Sequence, residues 1–268
     1  MSTPDETGSP AATEHTSSQT AKSARADSDK TKSTAAKAAA ARAAAAKATD
    51  AEILPIHDWI YWTMTALFRV FFRLGGWKLH GRKNVPKTGA VILAPNHVSL
   101  FDPPLVGCSS PRRVTTMGKA ELFDKKWFGL KIFPYIIQHM ATFPVKRGAP
   151  DRRAMRRAAQ VLKDGEALVI FPEGTRTRSG ELGPGEIGLA MIAHSAKAPI
   201  VPMYLKGTDA ALSPIAKKKG VRFFKTEVHF GKPLYFADEY SRKADRATLQ
   251  AITDRVMQEI ANLRDAQL

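Results

Sequence analysis

The stretch Ala90-Val91-Ile92-Leu93-Ala94-Pro95-Asn96-His97-Val98-Ser99-Leu100-Phe101-Asp102-Pro103-Pro104 decides how this chain folds. Its first five residues are apolar without interruption, the pattern of a strand buried on both faces. Pro103-Pro104 suit the first turn of a helix, where a missing N–H leaves nothing unpaired. Between strand and helix stand His97 and Asp102, the two ends of H-x-x-x-x-D. Five positions do not share a face of a regular helix, where neighbours lie three or four apart. The imidazole and the carboxylate therefore meet only if the chain bends sharply between them. A strand-to-helix bend of this kind is where an α/β scaffold presents reactive groups. Asp102 also reads more plainly, as an N-cap ahead of the prolines.

A second apolar run, Ala167–Phe171, leads into another turn, Pro172-Glu173-Gly174-Thr175-Arg176. Further short runs fall at Arg113–Met117, Ala141–Val145, Pro199–Leu205 and Val221–Phe230, with Trp77 and Leu79 alternating like an edge strand. Helical patterns lie between them. Asp151 caps a helix that runs to about Asp164 and stops at Gly165, with Ala154, Ala158, Val161 and Leu162 inward and Arg152, Arg153, Arg156 and Arg157 outward. Ile187–Ser195 is the next, and about 242–264 carries a stripe of Leu249, Ile252, Val256, Ile260 and Leu263. Strands alternating with helices predict an α/β fold, a mostly parallel or mixed sheet flanked by helices.

The chain has 268 residues and a net charge of +16. Residues 1–50 hold seven Lys/Arg and six Asp/Glu, so nearly all of the excess belongs to the remainder, which points to an anionic partner. Residues 1–33 have little to bury and read as a disordered tail, with no apolar core of a secretory signal. Residues 35–48 are Ala/Lys-rich helix formers without an apolar face, a helical spacer or a weakly basic arm. The expected organisation is thus a tail over 1–50 and one domain over 55–268. The single cysteine, Cys108, excludes an internal disulfide and has no base near it in sequence.

Residues 59–74 are dense in aromatics, and a helical wheel sets Ile60, Met64, Leu67, Phe71 and Leu74 on one side, flanked by Phe68 and Val70. Asp58, Thr65, Arg69 and Arg73 fall opposite, beside Trp62. Sixteen helical residues reach only about 24 Å, short of a hydrocarbon core of roughly 30 Å. Trp59, Trp62, Phe68 and Phe71, with Arg69 and Arg73, suit a helix at about 56–74 lying in a lipid headgroup layer. The alternative is a helix packed on the domain's own core.

Taken in order, N-H-x-S-x-x-D at 96–102, Lys146-Arg147-Gly148, F-P-E-G-T-R-T-R-S-G at 171–180 and Ala198-Pro199-Ile200-Val201-Pro202 resemble the glycerolipid acyltransferase family, specifically the 1-acyl-sn-glycerol-3-phosphate (lysophosphatidate) acyltransferases. The resemblance spans about Gly81–Gly207, and one block departs from it: Lys146 stands where the family commonly has an acidic residue. It implies a membrane-associated enzyme of phospholipid biosynthesis, peripheral or monotopic on the cytoplasmic face, that acylates lysophosphatidate from acyl-CoA or acyl-ACP. Glycerol-3-phosphate or another lysophospholipid is the alternative acceptor. His97 would be the general base and Asp102 its orienting carboxylate. Arg176, Gly174 and Thr175 would hold the acceptor's phosphate, with Arg147 a further contact. Glu173 would bind a glycerol hydroxyl or hold Arg176, and Lys119 or loop N–H groups would face the oxyanion. No cofactor is needed beyond the acyl thioester, and no metal-ligand spacing is visible.

Two other classes compete. A basic chain can bind nucleic acid, but here the aromatics cluster in one stretch and no recognition-helix pattern occurs. A non-catalytic lipid-binding scaffold would have no use for both His97 and Asp102. A serine hydrolase is disfavoured because G-x-S-x-G is absent.

Overall fold

The buried run becomes β2 (Val91–Pro95), with no exposed position along it. It is buried because it has parallel neighbours on both sides, β6 (Ile200–Lys206) and β5 (Ala167–Val169), and helices over both faces. The computed structural model describes residues 58–123, 132–146, 151–210, 212–215 and 225–267. The tail expected to be disordered, the Ala/Lys segment and Arg147 fall outside them.

In chain order the other elements are α1 (Asp58–Leu74), β1 (Trp77–His80), α2 (Asp102–Ser109), β3 (Val114–Lys119), α3 (Ile132–His139), β4 (Thr142–Val145), α4 (Arg152–Lys163), α5 (Gly188–Ala196), β7 (Thr226–Phe230), α6 (Ala237–Ser241) and α7 (Arg246–Asp265). Among the described residues seven strands form one sheet in the order β1-β7-β6-β2-β5-β3-β4. Every neighbouring pair is parallel except β6 with β7. The sheet is therefore mixed, and β1 is an edge strand.

Two cores cover its faces. On one, Leu162 of α4, Leu189 and Ile192 of α5, and Leu249, Ile252, Val256 and Ile260 of α7 pack against Ile92, Leu168 and Ile200. On the other, Leu105, Val106 and Cys108 of α2, with Phe72 of α1, pack against Val91, Leu93, Val169 and Val201. Each such aliphatic side chain gains about 1.5–3 kcal/mol from leaving water.

This layering fixes where a site can form. The adjacent strands β2 and β5 send their following helices to opposite faces, α2 to one and α5 to the other. That parting opens a crevice at their carboxyl ends, the usual ligand position in open α/β sheets. The 97–102 turn leaves β2 there, and the 171–176 turn follows β5.

Asp151 caps α4 as its position predicts, accepting from the N–H groups of Arg153 and Ala154 and, through its second oxygen, from Lys146. Burial alone would raise its pKa, but these three N–H groups outweigh burial and hold the carboxyl below its ordinary value. A carboxylate depressed in the fold stabilises it above the unfolded pKa, and the benefit is lost as pH falls through the folded one. Asp151→Ala should therefore cost about 1 kcal/mol at neutral pH. The gap should close as pH drops below about 4, read from urea unfolding of both proteins across that range. Gly165 ends the helix with φ 74°, a left-handed turn that a side chain would strain.

The helix α1 corrects the wheel drawn from sequence. It packs on α2 through Tyr61, Thr65, Phe68 and Phe72, while Leu67, Val70 and Leu74 face outward with Trp59 and Trp62. Thr65 and Arg69, expected outside, lie inside or half-buried, and Arg69 Nε donates to the Cys108 carbonyl at 3.2 Å. The Tyr61 hydroxyl accepts from Val114 N–H at 3.2 Å. The wheel misassigned the faces because Thr65 and Arg69, polar and so read as outward, lie on the side that packs on α2. Polar anchors, and a small Thr65 that permits close approach, chose the inward side. Of the residues expected at a lipid surface, Phe68, Phe71 and Arg69 belong to the domain, whereas Trp59, Trp62 and Arg73 are exposed. No helix among the described residues is long and apolar enough to cross a membrane.

Candidate active site

The chain does bend between His97 and Asp102. Asp102, the first residue of α2, turns its carboxylate back into the loop that precedes it. Its Oδ2 accepts from Val98 N–H and Ser99 N–H, each at 2.7 Å, and lies 2.8 Å from His97 Nδ1. The two backbone donors hold Oδ2 in place before the imidazole arrives. Both side chains are buried. With Nδ1 engaged by a carboxylate, the ring carries its proton there and Nε2 keeps a free lone pair.

Three further contacts hold the histidine. Its ring stacks on Phe171, centroids 4.0 Å apart. Its backbone N–H donates to Glu173 Oε1 at 2.8 Å, and its carbonyl accepts from Thr177 N–H at 2.8 Å. The turn after β5 thus lies directly against the turn after β2. On the other side, Asn96 is bonded twice to Leu205 of β6, Nδ2 donating to the carbonyl at 3.2 Å and Oδ1 accepting from N–H at 2.7 Å. Ser99 Oγ accepts from Phe101 N–H at 3.1 Å and tightens the bend.

Arg176 reaches the same place. Its Nη1 donates to the Leu212 carbonyl at 3.2 Å, and that carbonyl also accepts from Leu100 N–H at 3.2 Å. The guanidinium is half-buried beside the 97–102 turn, and Thr175 is exposed. Gly174 has φ 66°, the left-handed conformation that reverses the chain toward Arg176.

Residues 76–206 match the family model described as Acyltransferase. The chain is 31% identical over 192 residues to the 1-acyl-sn-glycerol-3-phosphate acyltransferase of Bacillus subtilis, a match covering 71% of this chain and 89% of that one. The chain belongs to the 1-acyl-sn-glycerol-3-phosphate acyltransferase family. A chloroplastic relative from Brassica napus is 26% identical over 162 residues, and there the match spans 59% of this chain and 44% of the longer plant protein. The crystal structure of the 1-acyl-sn-glycerophosphate acyltransferase of Thermotoga maritima superposes with a TM-score of 0.57 at 22% identity, over 76% of this chain and 79% of that one, and shares the fold.

Within this acyltransferase the remaining candidates divide. Glu173 is held by backbone on both oxygens: Oε1 accepts from His97 N–H at 2.8 Å and Oε2 from Gly183 N–H at 3.0 Å. Burial pushes its carboxyl above the ordinary range against the pull of those two N–H groups. Glu173 braces the histidine loop through its bond to His97 N–H. Lys119 ends β3 exposed, its ammonium 3.3 Å from Glu121. Cys108 is buried, its thiol pushed up to about 12 by that burial, and it stays protonated as part of the core. A cavity of about 250 Å³ lies behind the turns among Asn96, Glu173, Tyr204, Lys206 and Arg264, but His97, Asp102 and Arg176 do not line it. The stack of Phe171 on His97 was missed from sequence. Its only signal was an aromatic at the strand end, immediately before the P-E-G turn.

Proposed function

We propose that this acyltransferase moves an acyl group from a thioester, acyl-CoA or acyl-ACP, to the free hydroxyl of 1-acyl-sn-glycerol 3-phosphate, forming phosphatidate at a membrane surface. The observation that carries the reading is the buried His97–Asp102 pair in contact with the turn bearing Arg176. A glycerol hydroxyl is a poor nucleophile near neutral pH. His97 Nε2 takes its proton as the oxygen attacks the thioester carbonyl, and Asp102 stabilises the imidazolium that forms. The tetrahedral intermediate collapses with loss of the C–S bond, and the leaving thiolate recovers the proton from His97. The hydroxyl occupies the position a serine has in a triad, so no acyl-enzyme arises. The acyl thioester serves as co-substrate, and the chain's own residues carry the proton.

Arg176 grips the acceptor's phosphate, and the exposed Thr175 hydroxyl supports it. The test is an assay of purified protein with vesicles, one labelled acyl thioester, and lysophosphatidate, glycerol-3-phosphate and neutral lysolipids as acceptors. Lysophosphatidate should be preferred. Arg176→Ala should raise the apparent KM for it by about tenfold or more, the loss of a charge-assisted contact of roughly 1.5–3 kcal/mol. The KM for the thioester should stay near its original value, and an equal rise in both would place Arg176 outside the phosphate site.

The outward side of α1 supports the membrane part of the proposal. Trp59, Trp62, Leu67, Val70 and Leu74 are exposed together, with Arg73 among them, while the opposite face is fastened to α2. Such an apolar strip on a basic domain suits the headgroup layer. Changing Trp59, Trp62 and Leu67 together to Ser should leave the fold intact, since none is buried. Vesicle binding should fall by about two orders of magnitude, roughly 1 kcal/mol for each residue removed from lipid. Undiminished co-sedimentation with anionic vesicles would refute this face as the contact.

A further inference from the structure

A second group of chemically active side chains lies at the far edge of the sheet, away from His97. Strands β1 and β7 pair in parallel with His80 opposite His229 and Lys78 opposite Glu227. Residues two apart on a strand share a face. His80, Glu227 and His229 therefore project on one side, although almost 150 positions separate the first from the others. No spacing in the sequence signals this, because only the pairing of two distant strands assembles it.

We propose that His80, Glu227 and His229 form a binding site for a divalent transition-metal ion, with zinc the best match. One ligand atom from each residue falls within 4.8 Å of the others. Glu227 Oε2 lies 3.5 Å from His229 Nε2 and 3.8 Å from His80 Nε2. Tetrahedral zinc, with bonds of about 2.0–2.1 Å, sets its ligand atoms roughly 3.3 Å apart. Closure thus requires shifts of a few tenths of an ångström around Glu227, together with a turn of one ring.

The two rings are stacked, centroids 4.4 Å apart and planes 1° from parallel, so their in-plane lone pairs do not yet converge. His80 is exposed on the edge strand and can make that turn. His229 cannot move freely, being only 4% exposed. Its Nε2 is buried, makes no hydrogen bond of regular geometry, and lies 3.5 Å from the Glu227 oxygen. A polar atom left so costs free energy that a bound cation would recover.

The neighbouring ammonium groups leave Glu227 Oε2 to the two histidines. Lys78 Nζ lies 3.7 Å from Oε1, the other oxygen of Glu227, and Lys206 Nζ donates to the Gln267 carbonyl at 3.2 Å. Two imidazoles and one carboxylate select zinc over magnesium or calcium, which favour all-oxygen shells. Three protein ligands leave a fourth position for water. The consequence is mechanical: β1 meets the sheet only through β7 and directly follows α1, so the ion would clip the root of the outward-facing helix.

The test uses the purified full chain titrated with zinc alone, and with cobalt(II) as the coloured substitute. The expected result is one ion per chain and a tetrahedral cobalt absorption band. X-ray absorption at the zinc edge should show two imidazoles in the shell. His80→Ala, at an exposed edge, should weaken binding by more than about tenfold and remove any rise in Tm on adding zinc, with Glu227→Gln acting alike. No stoichiometric binding to the parent chain would overturn the proposal. So would full affinity in both variants, or a zinc shell without two imidazoles, a readout that holds even if a variant misfolds.

Discussion

His97→Ala should lower acyl transfer by about two to four orders of magnitude, the range expected when a positioned general base is lost. The imidazole sits in a slot made by Asp102 below, Phe171 on its face and two backbone hydrogen bonds to the 171–177 segment. Those backbone bonds survive removal of the ring, so the turns should keep their positions. The loss should therefore appear in kcat, with the KM for the phosphorylated acceptor close to that of the parent. Turnover within about threefold of the parent would take His97 out of the proton path.

Asp102→Asn should cost nearly as much, about two to four orders of magnitude, for a different reason. Oδ2 accepts three donors at 2.7–2.8 Å, and an amide oxygen in its place can still accept from Val98 and Ser99. The loop should then hold its shape. The negative charge that stabilises the imidazolium is gone, and the amide nitrogen occupies the position of Oδ1, which is buried without a hydrogen-bond partner. The variant should fold, bind acceptor and turn over slowly, as checked by a vesicle assay beside a thermal melt. A slow but fully melted protein would point to folding instead, and near-parent turnover would show that the carboxylate charge is dispensable.

Much of this was legible in the chain because local chemistry forced it. An uninterrupted apolar run such as Val91–Ala94 is stable only with neighbours on both edges and cover on both faces, which already implies a parallel α/β sheet. Pro103-Pro104 start a helix, Asp151 caps another, and Gly165 stops it, each through a backbone constraint that acts within a few residues. The closeness of His97 to Asp102 belongs to the same class, since a single bend suffices.

The face of α1 was not legible, because local patterning reads Thr65 and Arg69 as solvent-facing while the fold turns them inward. The buried contacts of Tyr61, Thr65 and Arg69 decided it. The bracing role of Glu173 was not legible for a related reason: nothing local says that the N–H groups of His97 and Gly183 each bond one of its oxygens. Which residues form strands, helices and turns follows from the order of side chains along the chain. Which of them touch across the sheet (Glu173 under His97, Phe71 against Phe101, His80 beside His229) depends on strand order and register. Those are set by the packing of the whole domain, because partners distant in the chain meet only once every layer is in place.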